Sequence, residues 1–127
     1  MNIVLTGASQ GIGFETAQLL ANDPKNRVLA IARSEQNLAK LASNINCISF
    51  DLDTLHFKAL VERIQQEQGH IDILINNAAT LINKPFSALS IAEWEQCMRT
   101  NVIAPAQLIQ ALLPVFNPKG AHIVNIG

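Results

Sequence analysis

Five short apolar runs, alternating with segments of helical period, constrain the fold of this chain more than any other feature. The runs lie at residues 2–6, 27–32, 46–50, 72–76 and 122–126. Between them apolar residues recur at helical spacing, as in the set Phe14, Ala17, Leu20 and Ala21. Strands and helices that alternate over short connections predict right-handed parallel βαβ units. We therefore expect one α/β domain over residues 1–127, a doubly wound parallel sheet with helices on both faces and a buried fifth strand.

The same helical period predicts three more helices. Two of them are indicated by the sets Leu38, Leu41, Ala42, Ile45 and Phe57, Leu60, Val61, Ile64. Ser90 and Glu93 have the spacing of a capping box and begin a longer helix that runs toward Pro114. The longest connection, residues 79–90, follows the fourth strand. It therefore lies at the carboxyl edge of the sheet, where folds of this class bind ligands.

Composition and charge exclude several classes of function. A net charge of -1 over 127 residues leaves no broad basic surface, so nucleic acid is not an expected partner. No apolar stretch has the length needed to cross a membrane, and the first residues lack the features of a signal peptide, so a cytoplasmic location is predicted. Cys47 and Cys97 are expected to be buried apolar residues. The scattered His56, His70 and His122 lack metal-ligand spacing, so no metal site is predicted.

The segment TGASQGIG, residues 6–13, joins the first strand to the first helix. Its glycines differ in spacing from both the GxGxxG and the Walker patterns. Glycines nevertheless allow a sharp turn and a close approach of the backbone to a ligand. The helix that follows points its free N–H groups and the positive end of its dipole at an anion. The segment predicts a phosphate site; a tight turn that binds no ligand is the alternative.

Two other short motifs accompany this glycine turn. The segment NNAA, residues 76–79, ends the fourth strand, and Asn101 lies inside the long helix. Together with Asp51 after the third strand, the motifs resemble the short-chain dehydrogenase/reductase family over all 127 residues. The resemblance implies a Rossmann-like domain with strand order 3-2-1-4-5. It also implies an NAD(P)-dependent oxidoreductase that moves a hydride between the nicotinamide and a small-molecule carbonyl or secondary alcohol.

The resemblance further implies cofactor contacts in the glycine turn and after the third strand. The residues expected to line the pyrophosphate or touch the cofactor in the turn are Gly7, Ser9, Gln10, Gly11, Ile12 and Gly13. Asp51 would accept a hydrogen bond from the adenine amino group, with Leu52 beside the ring. An acidic residue in this region could instead cap the next helix, a role that suits Asp53 or Thr54 better.

The resemblance gives the segment after the fourth strand a part in the same site. Asn77 would brace the neighbouring strands, and Ala78 and Ala79 would pass beside the ribose. Ala79 stands where the family usually has glycine. A methyl group there would be strained if the position required a positive φ.

The residues after the second strand bear on the choice of cofactor. Ala32 stands where NAD-preferring members usually carry an aspartate, and Arg33 and Ser34 follow. An arginine beside a hydroxyl suits the 2′-phosphate of NADP(H), because a guanidinium binds phosphate through paired donors. Against this, Gln10 occupies a place that is often basic in NADP enzymes, Ser34 could cap the next helix, and Arg33 could be a solvated surface residue. NADP(H) is favoured over NAD(H).

Asn101 is the one catalytic residue that the resemblance places in this chain. Pro105, four residues later, has no N–H, so the carbonyl of Asn101 lacks its usual i+4 donor and could bind a water. Such a water would join the proton relay that the family is thought to use. The alternative is that Pro105 only kinks a structural helix. Trp94 and Met98 on the same helix are expected to pack against a neighbouring helix or subunit, and a homo-oligomer is plausible.

The family's serine and Tyr-x-x-x-Lys pair are absent, and the 127 residues contain no tyrosine. The chain is therefore interpreted as the cofactor-binding front half of an enzyme, expected to be inactive alone. One alternative is a non-catalytic dinucleotide-binding sensor or interaction module. Another is an epimerase or dehydratase built on the same scaffold.

Overall fold

The computed structural model describes all residues from 1 to 127 and contains five strands. They are β1 (Asn2–Thr6), β2 (Arg27–Ala32), β3 (Asn46–Ser49), β4 (Ile73–Asn76) and β5 (His122–Asn125). The helices are α1 (Gly11–Ala21), α2 (Glu35–Leu38), α3 (Lys58–Gln68), α4 (Ile91–Met98) and α5 (Ala104–Leu112). Three 3-10 turns occupy Leu52–Thr54, Phe86–Ala88 and Leu113–Val115, and a π-helical turn, Arg99–Ile103, joins α4 to α5.

The strands form one parallel sheet in the order β3-β2-β1-β4-β5, as predicted. The β1 strand is central and pairs with β2 through Leu5 and Ala30 and with β4 through Leu5 and Ile75. The chain leaves β1 toward β2 on one side and later crosses to β4 on the other. The carboxyl ends of β1 and β4 therefore flank the topological switch point, the position at which such sheets bind ligands.

The sheet separates two apolar cores because successive residues of a strand point to opposite faces. Ile3 and Leu5 of β1 join the core that packs under α1 and α2. Val4 lies on the other face, with Leu60 of α3 and Leu108 of α5. These side chains are fully buried or nearly so. The two-sided burial that the apolar runs predicted is therefore found in the middle of the sheet.

The edge strand β5 differs from the prediction. All four of its residues are exposed, and Ile123 and Val124 remain 42% and 41% accessible. Its one sheet neighbour is β4, which it meets through Ile123 and Leu74. The expectation of burial on both faces was wrong for this strand, because no further element covers it among residues 1–127.

The helix predicted from Leu38 to Ile45 is also shorter than expected. Only Glu35–Leu38 forms a helical turn, with Ser34 as its N-cap. Leu38, Leu41 and Ile45 are nevertheless buried in the core beneath α1 and α2. The apolar spacing thus predicted the burial of these residues correctly, although turns rather than a helix bring Leu41 and Ile45 into the core.

The long helix from Ser90 is present, with Ser90 Oγ accepting the N–H of Glu93 at 3.1 Å. It continues through the π-helical turn to Leu112. Neither this helix nor any other is long and apolar enough to span a bilayer.

The two cysteines are half-buried rather than buried as predicted. Cys47 packs against the core beneath α1 and α2, and burial raises the pKa of its thiol.

Candidate functional site

A cleft of about 480 Å³ lies at the carboxyl edge of the sheet, above the switch point. Twelve of the thirteen residues predicted to contact a cofactor line it: Gly7, Ser9, Gln10, Gly11, Ile12, Arg33, Ser34, Asp51, Leu52, Asn77, Ala78 and Ala79. A groove of about 540 Å³ between α3 and α5 is slightly larger but contains none of them. The cleft is therefore the candidate site.

The glycine turn brings the backbone of β1 and α1 to the cleft without side chains in the way. Gly7 has φ +69, and a β-carbon on it would lie 2.7 Å from the Cα of Ala78. Gly11 has φ +56 and faces open space, with no atom within 4 Å of where its β-carbon would be. The first residue thus permits close packing of two chain segments, and the second leaves room for a ligand.

The first turn of α1 has no side-chain cap. Its N-cap residue Gln10 has an extended backbone, with φ -163, and makes no capping hydrogen bond. N–H groups at such a helix start lack partners within the helix. Because Gly11 and Ile12 line the cleft, these donors are available to an anion bound there.

Gly13 is the one predicted cofactor residue that the structure does not place in the cleft. It is buried, and a β-carbon on it would overlap the carbonyl oxygen of Gly7 and Nδ2 of Asn77. Gly13 therefore allows close packing of α1 against the turn. Its expected contact with a pyrophosphate stays a prediction.

Thr6 and Asn77 join β1 to the segment that follows β4. The hydroxyl of Thr6 accepts the N–H groups of Asn77 and Ala78, each at 3.1 Å. Nδ2 of Asn77 donates to the carbonyls of Thr6 at 3.3 Å and Gly7 at 3.2 Å. The bracing expected of Asn77 is thus supplied together with Thr6. Thr6 was not among the predicted site residues, although it is a polar residue that ends an apolar strand.

Asp51 begins the 3-10 turn that follows β3. Its Oδ1 accepts the N–H of Asp53 at 3.0 Å, so Asp51 caps this 3-10 turn. The next α-helix, α3, has no side-chain cap, so neither Asp53 nor Thr54 has the capping role considered for it. The second carboxylate oxygen of Asp51 makes no recorded hydrogen bond and is free for a ligand donor. Leu52, Asp53 and the half-buried Phe50 complete this end of the cleft.

Arg33 and Ser34 lie after β2, at the same end. The hydroxyl of Ser34 accepts the N–H of Asn37 at 3.2 Å, so the capping role considered for it is real. The hydroxyl hydrogen remains available to a ligand. Arg33 is exposed, and its side chain makes no hydrogen bond within the protein. Asn37 also lines the cleft, a position that the sequence analysis did not single out.

Asn101 lies in the π-helical turn and does not itself line the cleft. Its Oδ1 accepts the N–H of Thr80 and its Nδ2 donates to the carbonyl of Thr80, both at 2.9 Å. The side chain therefore fixes the segment that follows Ala79. Ala79 has no positive φ, so its methyl group adds no strain of the kind considered above.

No group of three or more histidine, cysteine, aspartate or glutamate side chains is placed to hold a metal ion. His56, His70 and His122 are not among the residues that line the cleft. The groups that the cleft offers to a ligand are backbone N–H groups, the Asn37 amide, the Ser34 hydroxyl, the Arg33 guanidinium and one free carboxylate oxygen of Asp51.

A parallel sheet of order 3-2-1-4-5, with a glycine turn and an uncapped helix start at its switch point, defines a Rossmann-like domain. The sequence model of the short chain dehydrogenase family matches residues 1–127. The chain belongs to this family.

Individual relatives agree with that assignment. A ketoacyl reductase from Nostoc sp. is 37% identical over 133 residues, covering 98% of this chain and 46% of that protein. A fatty acyl-CoA reductase from Mycobacterium tuberculosis is 36% identical over 138 residues, with the same two coverages of 98% and 46%. The chain thus spans about half the length of the curated relatives it matches.

Solved structures show the same fold. The L-sorbose reductase from Gluconobacter frateurii, complexed with NADPH and L-sorbose, superposes with a TM-score of 0.88 at 26% identity, covering 98% of this chain and 51% of that one. A short-chain dehydrogenase from Streptomyces avermitilis also gives 0.88 at 26% identity, with coverages of 99% and 48%.

Proposed function

We propose that this chain forms the dinucleotide-binding part of an NAD(P)-dependent oxidoreductase acting on a carbonyl or secondary alcohol. The observation that carries the proposal is the assembly of the cleft. Residues from five separate segments of the chain, spread between Gly7 and Thr100, line it. The comparisons support the class, since the family and its reductase members are oxidoreductases by name.

The residues of the cleft fit a dinucleotide from one end to the other. Gly11 leaves open space beside the uncapped start of α1, which suits a pyrophosphate. The free oxygen of Asp51 suits the adenine amino group, and Leu52 suits the ring beside it. Ala78 and Ala79, which carry only methyl groups, leave room for a ribose along the segment after β4.

NADP(H) is the preferred cofactor in this proposal. Ala32 carries no carboxylate that would repel a 2′-phosphate or hold a ribose 2′-hydroxyl. Arg33 has an uncommitted guanidinium, and Ser34 and Asn37 stand beside it in the cleft lining. Arginine can bind a phosphate through two parallel N–H donors.

The cofactor supplies the hydride exchange when bound, and this chain supplies position. Asn101 is the proposed catalytic residue. Because Pro105 offers no N–H, the backbone oxygen of Asn101 would hold a water for proton transfer. Its side chain, committed to Thr80, would keep that oxygen and the segment after β4 in a fixed relation.

Titration with NADPH and NADH tests the proposal. We expect the chain to bind both, and NADPH more tightly. Arg33→Ala should weaken NADPH binding by about tenfold or more and leave NADH nearly unchanged, since a charged hydrogen-bonded pair is lost. Arg63→Ala is the matched control, because Arg63 is exposed on α3 and lies outside the cleft. Absence of binding by either nucleotide would overturn the proposal, and an equal loss for both would overturn the NADP preference.

We expect residues 1–127 alone to reduce no carbonyl compound, since they contain no tyrosine for the family's proton transfer. Trp94 and Met98 are 46% and 47% accessible, which supports a homo-oligomer formed through the long helix. Light scattering would test the assembly, and cell fractionation the predicted cytoplasmic location.

A further inference from the structure

The carboxylate of Asp53 joins the turn after β3 to the end of α4. The Thr100 hydroxyl lies 2.8 Å from Oδ1 and 2.9 Å from Oδ2 of Asp53. Gln96 Nε2 donates to Oδ2 at 2.7 Å, and Arg99 Nη1 donates to the backbone oxygen of Asp53 at 3.2 Å. We call this set, Asp53 with Gln96, Arg99 and Thr100, the Asp53 latch. These four contacts are the side-chain hydrogen bonds between that turn and the long helix.

The latch begins at the end of the cleft proposed for adenine. Asp53 donates its own N–H to Oδ1 of Asp51, so a hydrogen bond joins the two acidic residues within one turn. The turn ends at Leu55, which has φ +57, a left-handed conformation that a leucine adopts only under constraint. Displacement of Asp51 by a ligand would therefore be transmitted to the carboxylate of Asp53.

The latch ends next to Asn101. Thr100 and Asn101 are neighbours in the π-helical turn, where the N–H of Ala104 bonds to the carbonyl of Arg99. A π-helical turn departs from the regular ladder of the helix and is common at functional positions. Asn101 in turn holds both backbone polar groups of Thr80. Hydrogen bonds thus connect Asp51 to Asp53, Asp53 to Thr100 and Asn101 to Thr80. The peptide bond between Thr100 and Asn101 completes the connection.

We propose that Asp53 and Thr100 are positioning residues that couple occupancy of the adenine end of the cleft to the placement of Asn101 and Thr80. The inference rests on the proposed function, since it assumes that the cleft takes an adenine dinucleotide. Its physical content is that a ligand bound at Asp51 shifts the turn, the shifted turn moves Thr100 through the carboxylate of Asp53, and Thr100 moves the π-helical turn.

Thr100→Val is the decisive variant, because valine keeps the shape of threonine and removes the hydroxyl. Thr100→Ser restores the hydroxyl and should restore the coupling. Thr16→Val on α1 is the matched control, a half-buried helical threonine with no recorded side-chain hydrogen bond. ADP is the probe, because it has the adenine and pyrophosphate of either dinucleotide but no nicotinamide and no 2′-phosphate.

The measurement is the ¹⁵N NMR response of the backbone amides to ADP. In the wild-type chain we expect shifts at Asp51 and Leu52 and a further shift at Thr80. In Thr100→Val the shifts at Asp51 and Leu52 should persist, while that at Thr80 falls by about fivefold, the size of a modest coupling. Without ligand, hydrogen exchange at the Thr80 amide should be about tenfold faster in Thr100→Val than in Thr16→Val.

The outcomes separate the inference from the proposed function. An equal Thr80 response in the wild type and Thr100→Val overturns the inference, and so does a wild type in which Asp51 responds and Thr80 does not. No response at any residue overturns the proposed function and the inference with it. A double variant Asp53→Asn/Thr100→Val whose Thr80 amide exchanges no faster than that of Thr100→Val alone supports the latch, because the effects of two substitutions in one interaction do not add.

Discussion

Gly13 and Asn77 are packed so closely that a β-carbon on the glycine would overlap Nδ2 of the asparagine. The same β-carbon would overlap the carbonyl oxygen of Gly7, which accepts a hydrogen bond from that Nδ2 at 3.2 Å. The first turn of α1, the glycine turn and the segment after β4 therefore meet at one crowded point. The shape of the cleft depends on this contact, although Gly13 itself does not face the cleft.

Gly13→Ala should destabilise the fold. Neither the Gly7 backbone nor the hydrogen-bonded Asn77 can move without loss, so we expect a decrease of about 3 kcal/mol in the free energy of unfolding. Urea denaturation measures it. Gly127→Ala is a neutral control, since its β-carbon would meet nothing within 4 Å. A Gly13→Ala variant as stable as the wild type would show that the contact is not tight.

Gly11→Ala should affect binding more than stability. The residue has φ +56 and open space around it, so the cost to stability is the left-handed backbone, about 1 kcal/mol. The methyl group would occupy the space proposed for the pyrophosphate, and NADPH affinity should fall by at least about tenfold. Gly69→Ala also places a β-carbon on a positive-φ residue with open space around it, with φ +78, at the end of α3. It should lose similar stability and no affinity; equal affinity losses would contradict the prediction.

Much of the sheet could be predicted from the sequence. The predicted runs 2–6 and 27–32 match β1 and β2 residue for residue, because β-branched and aliphatic residues end where turn residues begin. The stretch from Leu38 to Ile45 was less predictable. Its apolar residues are buried as their spacing indicates, but the same spacing is compatible with a helix or with successive turns. Only packing under α1 decides between them.

Contacts between segments distant in the chain could not be predicted from the sequence. The glycine turn and Asn77 carry motifs, whereas the partners of Thr6 and Asp53 are 71 and 47 residues away. Nothing in the local pattern around Asp53 indicates that it bonds to Thr100. The same holds for β5, whose apolar sequence indicates a buried strand although it lies exposed at the edge of this sheet.

Thr6→Val should cost more stability than Thr6→Ser. Thr6 is 1% accessible, and its hydroxyl is the acceptor for two backbone N–H groups. Valine keeps the volume and leaves both donors without a partner, a loss of about 3 kcal/mol, whereas serine keeps the acceptor and loses one methyl group, about 1 kcal/mol. Urea denaturation of the wild type, Thr6→Ser and Thr6→Val measures their free energies of unfolding, which should decrease in that order. If serine were the worse replacement, packing rather than hydrogen bonding would explain the role of Thr6.

Asn101→Ala should release the segment after Ala79 without unfolding the domain. Two hydrogen bonds to Thr80 would be lost, and the following residues include the exposed Leu81 and Phe86. We expect chymotrypsin to cleave there about tenfold faster, because cleavage follows local opening. Global unfolding in urea should change little. Asn83→Ala is the control, because Asn83 is an exposed residue of the same segment. Equal cleavage of the two variants would show that the hydrogen bonds between Asn101 and Thr80 do not hold the segment in place.

Asp72 should make stability depend on pH in the acid range. The N–H of Asn2 donates to its Oδ2 and Asn117 Nδ2 donates to its Oδ1, both at 2.7 Å. These hydrogen bonds, with a smaller effect of the nearby His70, hold the pKa of Asp72 below its usual value. Because the folded-state pKa is lowered, the ionised Asp72 stabilises the fold above the unfolded-state pKa of about 3.9. This stabilisation is lost as the pH falls through the lowered pKa.

Asp72→Asn tests this pH dependence. The variant should be less stable than the wild type at pH 7, and the difference should shrink below about pH 4 as the wild-type carboxylate takes up its proton. Unfolding free energies between pH 7 and pH 3 measure the difference. Glu15→Gln, on the exposed side of α1, removes one carboxylate without such partners and serves as the control. A difference between wild type and Asp72→Asn that stays constant over this range would mean that the two hydrogen bonds do not favour the charged form.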